Sequence, residues 1–413
     1  MELPSFHIQP DFENCINDVK NGRLSEEKFY INIETNSSTI KDYNVGISRR
    51  NDVIIYDAGL DNTFSNPNNG IYEGTFEKGK YKCQFKLPVT NYTSLLSPMD
   101  NPDNNIFSSF DITTLPEKRL AIGESTGEIK VFKDFELTHR LNGHKDYITS
   151  LRFFPSGEVL LSSSIDMRLK IWSAVDGSNP RTLLGHIAAV TDTAIIERGR
   201  NILSCSRDGT VKLWDCGSGN VIRTFRRTEM PTDPINVINL NVPTTTNEVN
   251  QDSGDFSTSG KTVLAAHSSG IISHHDISSK AQIGQCPNQF NSSCTSISLR
   301  LDKFKENSSK YVYAGYENGC IAQWDMRNPN KAVSHVYINK NTPVKCLLCC
   351  DNSLYLSSDN ESACQLSLDE NGHLSNIVSL VTHDAKILQF KANVDTDSVW
   401  AVGTTSYLGK YKV

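Results

Sequence analysis

LNGHKDYITSLRFFPSGEVLLSSSIDMRLKIWS, residues 141–173, and LLGHIAAVTDTAIIERGRNILSCSRDGTVKLWD, residues 183–215, align without a gap. Gly143-His144 falls on Gly185-His186 and Trp172 on Trp214, and in each segment the His stands 28 residues before the Trp. An acidic turn residue, Asp166 or Asp208, lies six positions before the Trp, and the unit recurs every 42 residues, from His144 to His186. A repeat of that length is one supersecondary unit that buries its apolar face only against neighbouring copies. The rest of the chain is therefore read in the same phase.

Gly-His near the start and Trp-Asp near the end of such a period resemble the WD repeat, in which each unit is a four-stranded propeller blade. Buried polar groups in a β core must be paired, because each orphan costs about 1–3 kcal/mol. His144, Asp166 and Trp172, joined by Ser162, therefore read as a structural relay that locks the outer strand. His186, Asp208 and Trp214, joined by Ser204, read as a second one, and neither set reads as catalytic.

Outside this pair the signature decays but keeps its phase. YVYAGYENGCIAQWD (311–325) has Trp324-Asp325 at the right offset from Gly319, but Asn318 replaces the turn Asp. In VLAAHSSGIISHHD His275 takes the Trp position, and in LAIGESTGEIKVFKD Phe132 takes it. LYLSSDNESACQLSLD and VWAVGTTSYLGKYKV add two more strand-turn-strand runs, for seven units. The fold expected is all-β, a seven-bladed WD40 β-propeller over residues 105–413, with a β-rich extension over 1–104. That extension packs on the propeller or closes it, since the last blade needs an N-terminal strand to cover its edge. FYINIET, DVIIYDAG and YKCQFKL are the candidate strands, and polar TTTNEVNQDSGDFSTS (244–259) reads as a mobile insertion in the fourth blade.

Composition narrows the function. The 413 residues are 38% hydrophobic and carry a formal charge of −6 with a pI near 6.0. No stretch approaches the roughly 20 apolar residues of a membrane helix. An acidic balance argues against the basic stripe that steers a polyanion, so neither nucleic acid nor membrane is an expected partner. The opening Met1-Glu2-Leu3-Pro4-Ser5 does not read as a secretory signal, and the eleven cysteines read as reduced core residues. The glycosylation-like triplets at Asn36, Asn91, Asn291 and Asn307 are set aside, and the expected location is the cytoplasm and nucleus.

Two chemical motifs dissolve on inspection. Gly123-Glu124-Ser125-Thr126-Gly127 matches the serine-hydrolase elbow, but a strand, EIKVFK, follows where a helix is required. Cys346 and Cys349 form a C-x-x-C in a strand-like run with no second pair, and His274-His275 point to opposite faces of a strand. No metal, no cofactor and no catalytic residue is expected.

Longer phrases carry a narrower likeness. FFPSGE, DGSNPRTLLGH, IIERGRN and YAGYENGCIAQWD resemble the fungal WD-repeat assembly chaperones of the proteasome's regulatory particle, counterparts of the proteasomal ATPase-associated factors. The resemblance is closest from about Leu120 to Arg327 and weakest over the first hundred residues. It implies a chaperone that does not hydrolyse ATP. It would bind the C-terminal domain of a base ATPase subunit, of the regulatory-particle triple-A ATPase six type, and leave before the mature particle works. A monomer is expected in isolation.

Recognition usually sits on loops of a rigid scaffold, which here means the face bearing the Gly-His loops and the turns before the relay Asp. Asp146, Tyr147, Ile165, Arg207, Tyr316 and Glu317 are the candidates there, with anchors of the type interfaces favour and carboxylates suited to a basic partner. Two rivals have the same fold. A ubiquitin-ligase substrate receptor would need an adaptor-binding segment such as an F-box, and a catalytic propeller would need reactive groups gathered in the central channel.

Overall fold

The computed structural model describes residues 2–35, 39–51, 53–68, 70–92, 106–113, 117–242, 256–300, 311–338, 340–360, 363–393, 397–404 and 406–413. Most of the insertion expected over 244–259 lies outside these.

Within them the repeat reading becomes seven sheets. The first four blades are antiparallel four-stranded sheets with innermost strands Phe107–Ile112, Ile148–Phe153, Val190–Ile196 and Ile235–Asn241. The next three begin at Cys294–Leu299, Val344–Cys350 and Ile387–Asn393. Each innermost strand packs on the next, and the last packs on the first, so the sheets close into a ring. Close approach between blades demands small residues on the second strand. A Cβ on Gly315 would lie 2.5 Å from both Val344 Cγ1 and Ser296 Oγ.

Blades are also stitched through polar atoms at the innermost strands, which are sheet edges and so leave main-chain N–H groups on their inner side without a ladder partner. Ser109 Oγ accepts from Leu151 N of the next blade at 3.0 Å, and Asp111 Oδ2 accepts from Phe153 N at 2.7 Å. Ser298 Oγ accepts from Cys349 N at 2.8 Å. Gln389 of the last blade accepts from Phe110 N of the first at 3.2 Å, across the closure.

The N-terminal region is more than a strap. Ser5–Ile8, Glu26–Thr35, Thr39–Arg50 and Val53–Asp57 form their own antiparallel sheet. Against it packs the helix Phe12–Lys20, whose Phe12, Cys15, Ile16 and Val19 recur at helical spacing and are buried. Three more strands, Thr63–Asn68, Ile71–Phe76 and Tyr81–Lys86, extend the sheet of blade six, with Phe85 and Lys86 paired in parallel to Ser379 and Leu380. Phe12, Phe29, Phe64 and Tyr72 join the two layers in one aromatic core.

The closing strand is none of the three candidates. FYINIET, the described part of DVIIYDAG and YKCQFKL are all committed to these N-terminal layers. The fourth strand of blade seven is Thr90–Asn91, antiparallel to Gly409 and Lys410. Tyr92 follows it and stacks between Phe135 of blade one, at 4.4 Å, and Trp400 of blade seven, at 5.2 Å. Glu2–Leu3 adds a parallel strand to the outer edge of blade five.

A two-residue strand holds little by itself, so the stacked Tyr92 should dominate the latch. Tyr92→Ala is expected to cost about 2 kcal/mol and lower the melting temperature by several degrees. Leu60→Ala, at a side chain 96% exposed, should leave the temperature unchanged. Equal melting temperatures for the two variants would refute this account of closure.

Candidate functional site: the mouth of the propeller channel

The relays position the face on which the candidates stand. In blade two His144 Nδ1 lies 3.0 Å from Asp166 Oδ2 and Nε2 lies 2.7 Å from Ser162 Oγ, which accepts from Trp172 Nε1 at 2.8 Å. Blade three repeats this with 2.8 Å from His186 to Asp208, 2.7 Å from His186 to Ser204 and 2.8 Å from Trp214 to Ser204. The serine is the hub: His and Trp do not touch through polar atoms but share its hydroxyl. Each Asp also ties the loop ahead of the blade to the turn, accepting from Lys145 N and Arg168 N or from Ile187 N and Thr210 N at 2.9–3.1 Å.

Blades one, four and five replace the relay. In blade five Phe290 occupies the His position, Asn318 Nδ2 donates to Phe290 O, and Trp324 Nε1 donates to Tyr316 Oη at 3.2 Å. Tyr316 is therefore not on the surface: its side chain is fully buried, with the hydroxyl doing what Ser204 does elsewhere. In blade four His275 and His267 share Ser273 Oγ at 3.0 and 2.8 Å, beside a buried Arg227–Asp233 pair. Burial first, with the charges of His267 and His274 adding, pulls the His275 pKa down to about 4. In blade one a buried Lys130–Glu124 pair spans 2.6 Å.

One main-chain bond recurs in all seven blades, whatever the relay. The N–H of the first turn residue after the second strand donates to a carbonyl in the loop before the first strand. The pairs are Ser125 to Ile106, Ile165 to Tyr147, Arg207 to Ala189, Ser268 to Pro234, Glu317 to Ser293, Asp359 to Pro343 and Thr404 to Lys386, at 2.8–3.2 Å. These seven turn residues ring the channel mouth.

Across blades two to six the mouth opens as a basin of about 910 Å³. Thr149, Thr191, Asn236 and Thr295 line it from the innermost strands and supply hydroxyl and amide groups. Of the expected binding residues it gathers Tyr147, Ile165, Arg207 and Glu317. Asp146 is exposed outside the lining, and its carboxylate accepts from Tyr147 N at 2.8 Å. Lys345 and Asp359, 3.6 Å apart, complete the lining on blade six. They were missed because their blade carries no WD signature, although Asp359 falls where Arg207 and Glu317 fall in the repeat. Around the ring the rim changes from apolar Ile165 to cationic Arg207, neutral Ser268 and anionic Glu317 and Asp359.

Neither chemical motif contributes a residue to the lining of this basin. Ser125 is in the hairpin between the strands Arg119–Glu124 and Ile129–Lys133. Cys346 and Cys349 lie in an innermost strand, and all eleven cysteines are free thiols. Among the described residues no group of three His, Cys, Asp or Glu side chains could hold a metal. No helix among them is long and apolar enough to cross a membrane.

Residues 135–173 and 177–215 match the model of the WD domain, G-beta repeat. The chain is similar to the 26S proteasome regulatory subunit RPN14 of Saccharomyces cerevisiae, at 37% identity over 98% of this chain and 97% of that protein. It is similar also to the probable proteasomal ATPase-associated factor 1 of Dictyostelium discoideum, at 28% identity over 86% of this chain and 88% of that one.

Burial opposes ionisation of Asp208, but bonds from His186, Thr210 and the main-chain N–H groups outweigh it and the carboxyl pKa falls. A carboxylate whose folded pKa lies below its unfolded value gives full stability above the unfolded pKa, near 4, and loses it as pH falls toward the folded one. Asp208→Asn should thus cost about 2 kcal/mol at pH 7, and the gap to the parent should narrow between pH 4 and pH 2. Denaturant melts across that range check it; a gap independent of pH would show that Asp208 acts as a neutral spacer.

Proposed function

This chain belongs to the WD-repeat family that includes the yeast 26S proteasome regulatory subunit RPN14, and from that premise we propose that it is a non-catalytic chaperone for regulatory-particle assembly. In this reading it holds an ATPase subunit of the base by its C-terminal domain and leaves before the finished particle works. The observation that carries it is the basin at the channel mouth. It is wide enough for a protruding partner segment, and its side chains vary in charge around a backbone ring that does not vary.

That arrangement suits recognition rather than turnover. Charge placed around an otherwise constant ring selects the orientation of a partner, with a basic group facing Glu317 and Asp359 and an apolar one facing Ile165. Such a protein acts by mass action: occupying one state of the ATPase stabilises it and blocks the docking that a later state requires. The yeast relative is named as a proteasome regulatory subunit and the Dictyostelium relative as an ATPase-associated factor, which supports the choice of partner.

The test is association kinetics with the isolated C-terminal domain of the ATPase subunit. Reversing Glu317 and Asp359 to Lys together should slow association about tenfold at low salt and much less at 0.5 M salt, since exposed charges act mainly on encounter. Ile165→Asp should speed dissociation instead. All three residues are exposed, so the melting temperature should hold. Normal binding by both variants would remove the basin from the interface and with it the support for this reading.

A further inference from the structure

Between the edge of blade six and the closing strand of blade seven the chain runs through Leu87-Pro88-Val89. Leu87 N donates to Gly70 O at 2.8 Å and Val89 N to Lys410 O at 2.7 Å, so this linker is fixed at both ends. Beside it lies a groove of about 400 Å³, far around the molecule's sequence from the channel mouth and sharing no residue with it. Its walls are apolar, Ile71, Leu87, Pro88, Val89 and the final residue Val413, and Val89 is 66% exposed, so the groove is open to solvent.

Two cations face this apolar lining. Lys86 is half-buried and donates to a neutral group, Gln365 Oε1, at 2.9 Å. Among the described residues no carboxylate, that of Val413 included, lies within ion-pair distance of Lys86 or Lys412. Burial and then the neighbouring Lys412 charge lower the Lys86 pKa to about 8. Two more deeply buried cations are matched with acids, Lys130 with Glu124 and Arg227 with Asp233, while buried Lys170 is held by the neutral Asn179 and Thr182. An ammonium group desolvated beside a second one and left without an acid is costly by itself, and an anion would relieve it. Apolar walls with one or two charged groups at the end are the ordinary make-up of a ligand site.

We propose that this groove captures the C-terminal carboxylate of a polypeptide ending in apolar residues. The carboxylate would meet Lys86 and Lys412, and the final side chains would lie on Ile71, Leu87 and Val89. The linker favours a peptide over an acyl chain, because Leu87 O and Pro88 O accept no hydrogen bond among the described residues and a peptide has N–H groups to give them. The inference stands apart from the reading of the channel mouth, because either site can be lost without the other.

Titration calorimetry on the full chain tests it, with acetyl-trileucine as the free acid, the same peptide as its C-terminal amide, and decanoate. The free acid should bind at least tenfold more tightly than the amide. Lys86→Met should lose at least tenfold, Lys86→Arg should retain most of the affinity, and Lys412→Met, at an exposed side chain, should lose several-fold. Binding of the acid should also raise the melting temperature, because the groove spans the closure. Equal affinity of acid and amide overturns the proposal, as does full binding by Lys412→Met and a normally melting Lys86→Met. Decanoate binding as tightly as the peptide overturns it too, assigning the groove to acyl anions.

Discussion

A single main-chain bond, from the turn N–H of each blade back to the loop that enters it, sets the geometry of the whole upper face. It is present seven times, at 2.8–3.2 Å, in blades with and without a complete relay. Because donor and acceptor are both backbone, the bond places no demand on the side chain that leaves the same residue. The first turn position can then be serine, isoleucine, arginine, glutamate, aspartate or threonine without disturbing the ring. A recognition surface on such a scaffold is a set of free choices at fixed positions. The buried face beneath it is the opposite, with side chains of different chemistry doing the same packing. His-Ser-Trp, Phe290-Tyr316-Trp324 and the Asp233–Arg227 and His267-Ser273-His275 groups each fill the space between turn and outer strand, the last leaving His275 Nδ1 and Arg227 Nε buried without a hydrogen-bond partner.

This contrast explains what could be read from the chain. The relays of blades two and three were legible because four residue types recur at fixed offsets, and the seven-fold count followed from keeping their phase. Tyr316 was misplaced because it borders the turn and carries a residue type that interfaces favour. The repeat itself held the corrective signal. Tyr316 stands eight residues before Trp324, as Ser164 stands before Trp172 and Ser206 before Trp214, and both serines are buried. Position within the unit outweighed residue type. By the same alignment Asp359 could have been placed beside Arg207 and Glu317, had blade six offered a Trp from which to count.

The N-terminal hundred residues offered no such ruler. Their strand alternation was visible, but layers that occur once have no internal copy to fix their partners. The helix Phe12–Lys20 has a clear apolar stripe, yet it is nine residues long and is capped by no side-chain bond from Asp11. A helix that short depends on tertiary packing more than on local preference. The latch was the least legible element of all. Two residues, Thr90 and Asn91, cannot show a period, and what holds them is the ring of Tyr92 wedged between blades distant in sequence.

Edge protection ties the extension to the propeller's logic. A blade's outermost strand presents unpaired backbone groups, and such edges invite association unless they are covered or charged. Blades five and six have theirs covered by Glu2–Leu3 and Tyr81–Lys86, and blade seven takes its outermost strand from Thr90–Asn91. The outermost strands of blades one, two and three carry Glu136 and Arg140, Arg181, and Arg223 and Arg226 instead. In blade four Gln282 is occupied by Thr228, whose N and Oγ1 both donate to its side-chain oxygen. Ile165 and Ile187 are exposed at the loops of the mouth, while Leu184 and Ile283 are exposed on the outermost strands of blades two and four. Where outer edges are covered or charged, addition of a partner's strand is opposed, and the face where the blades' turns converge is left as the common surface for recognition.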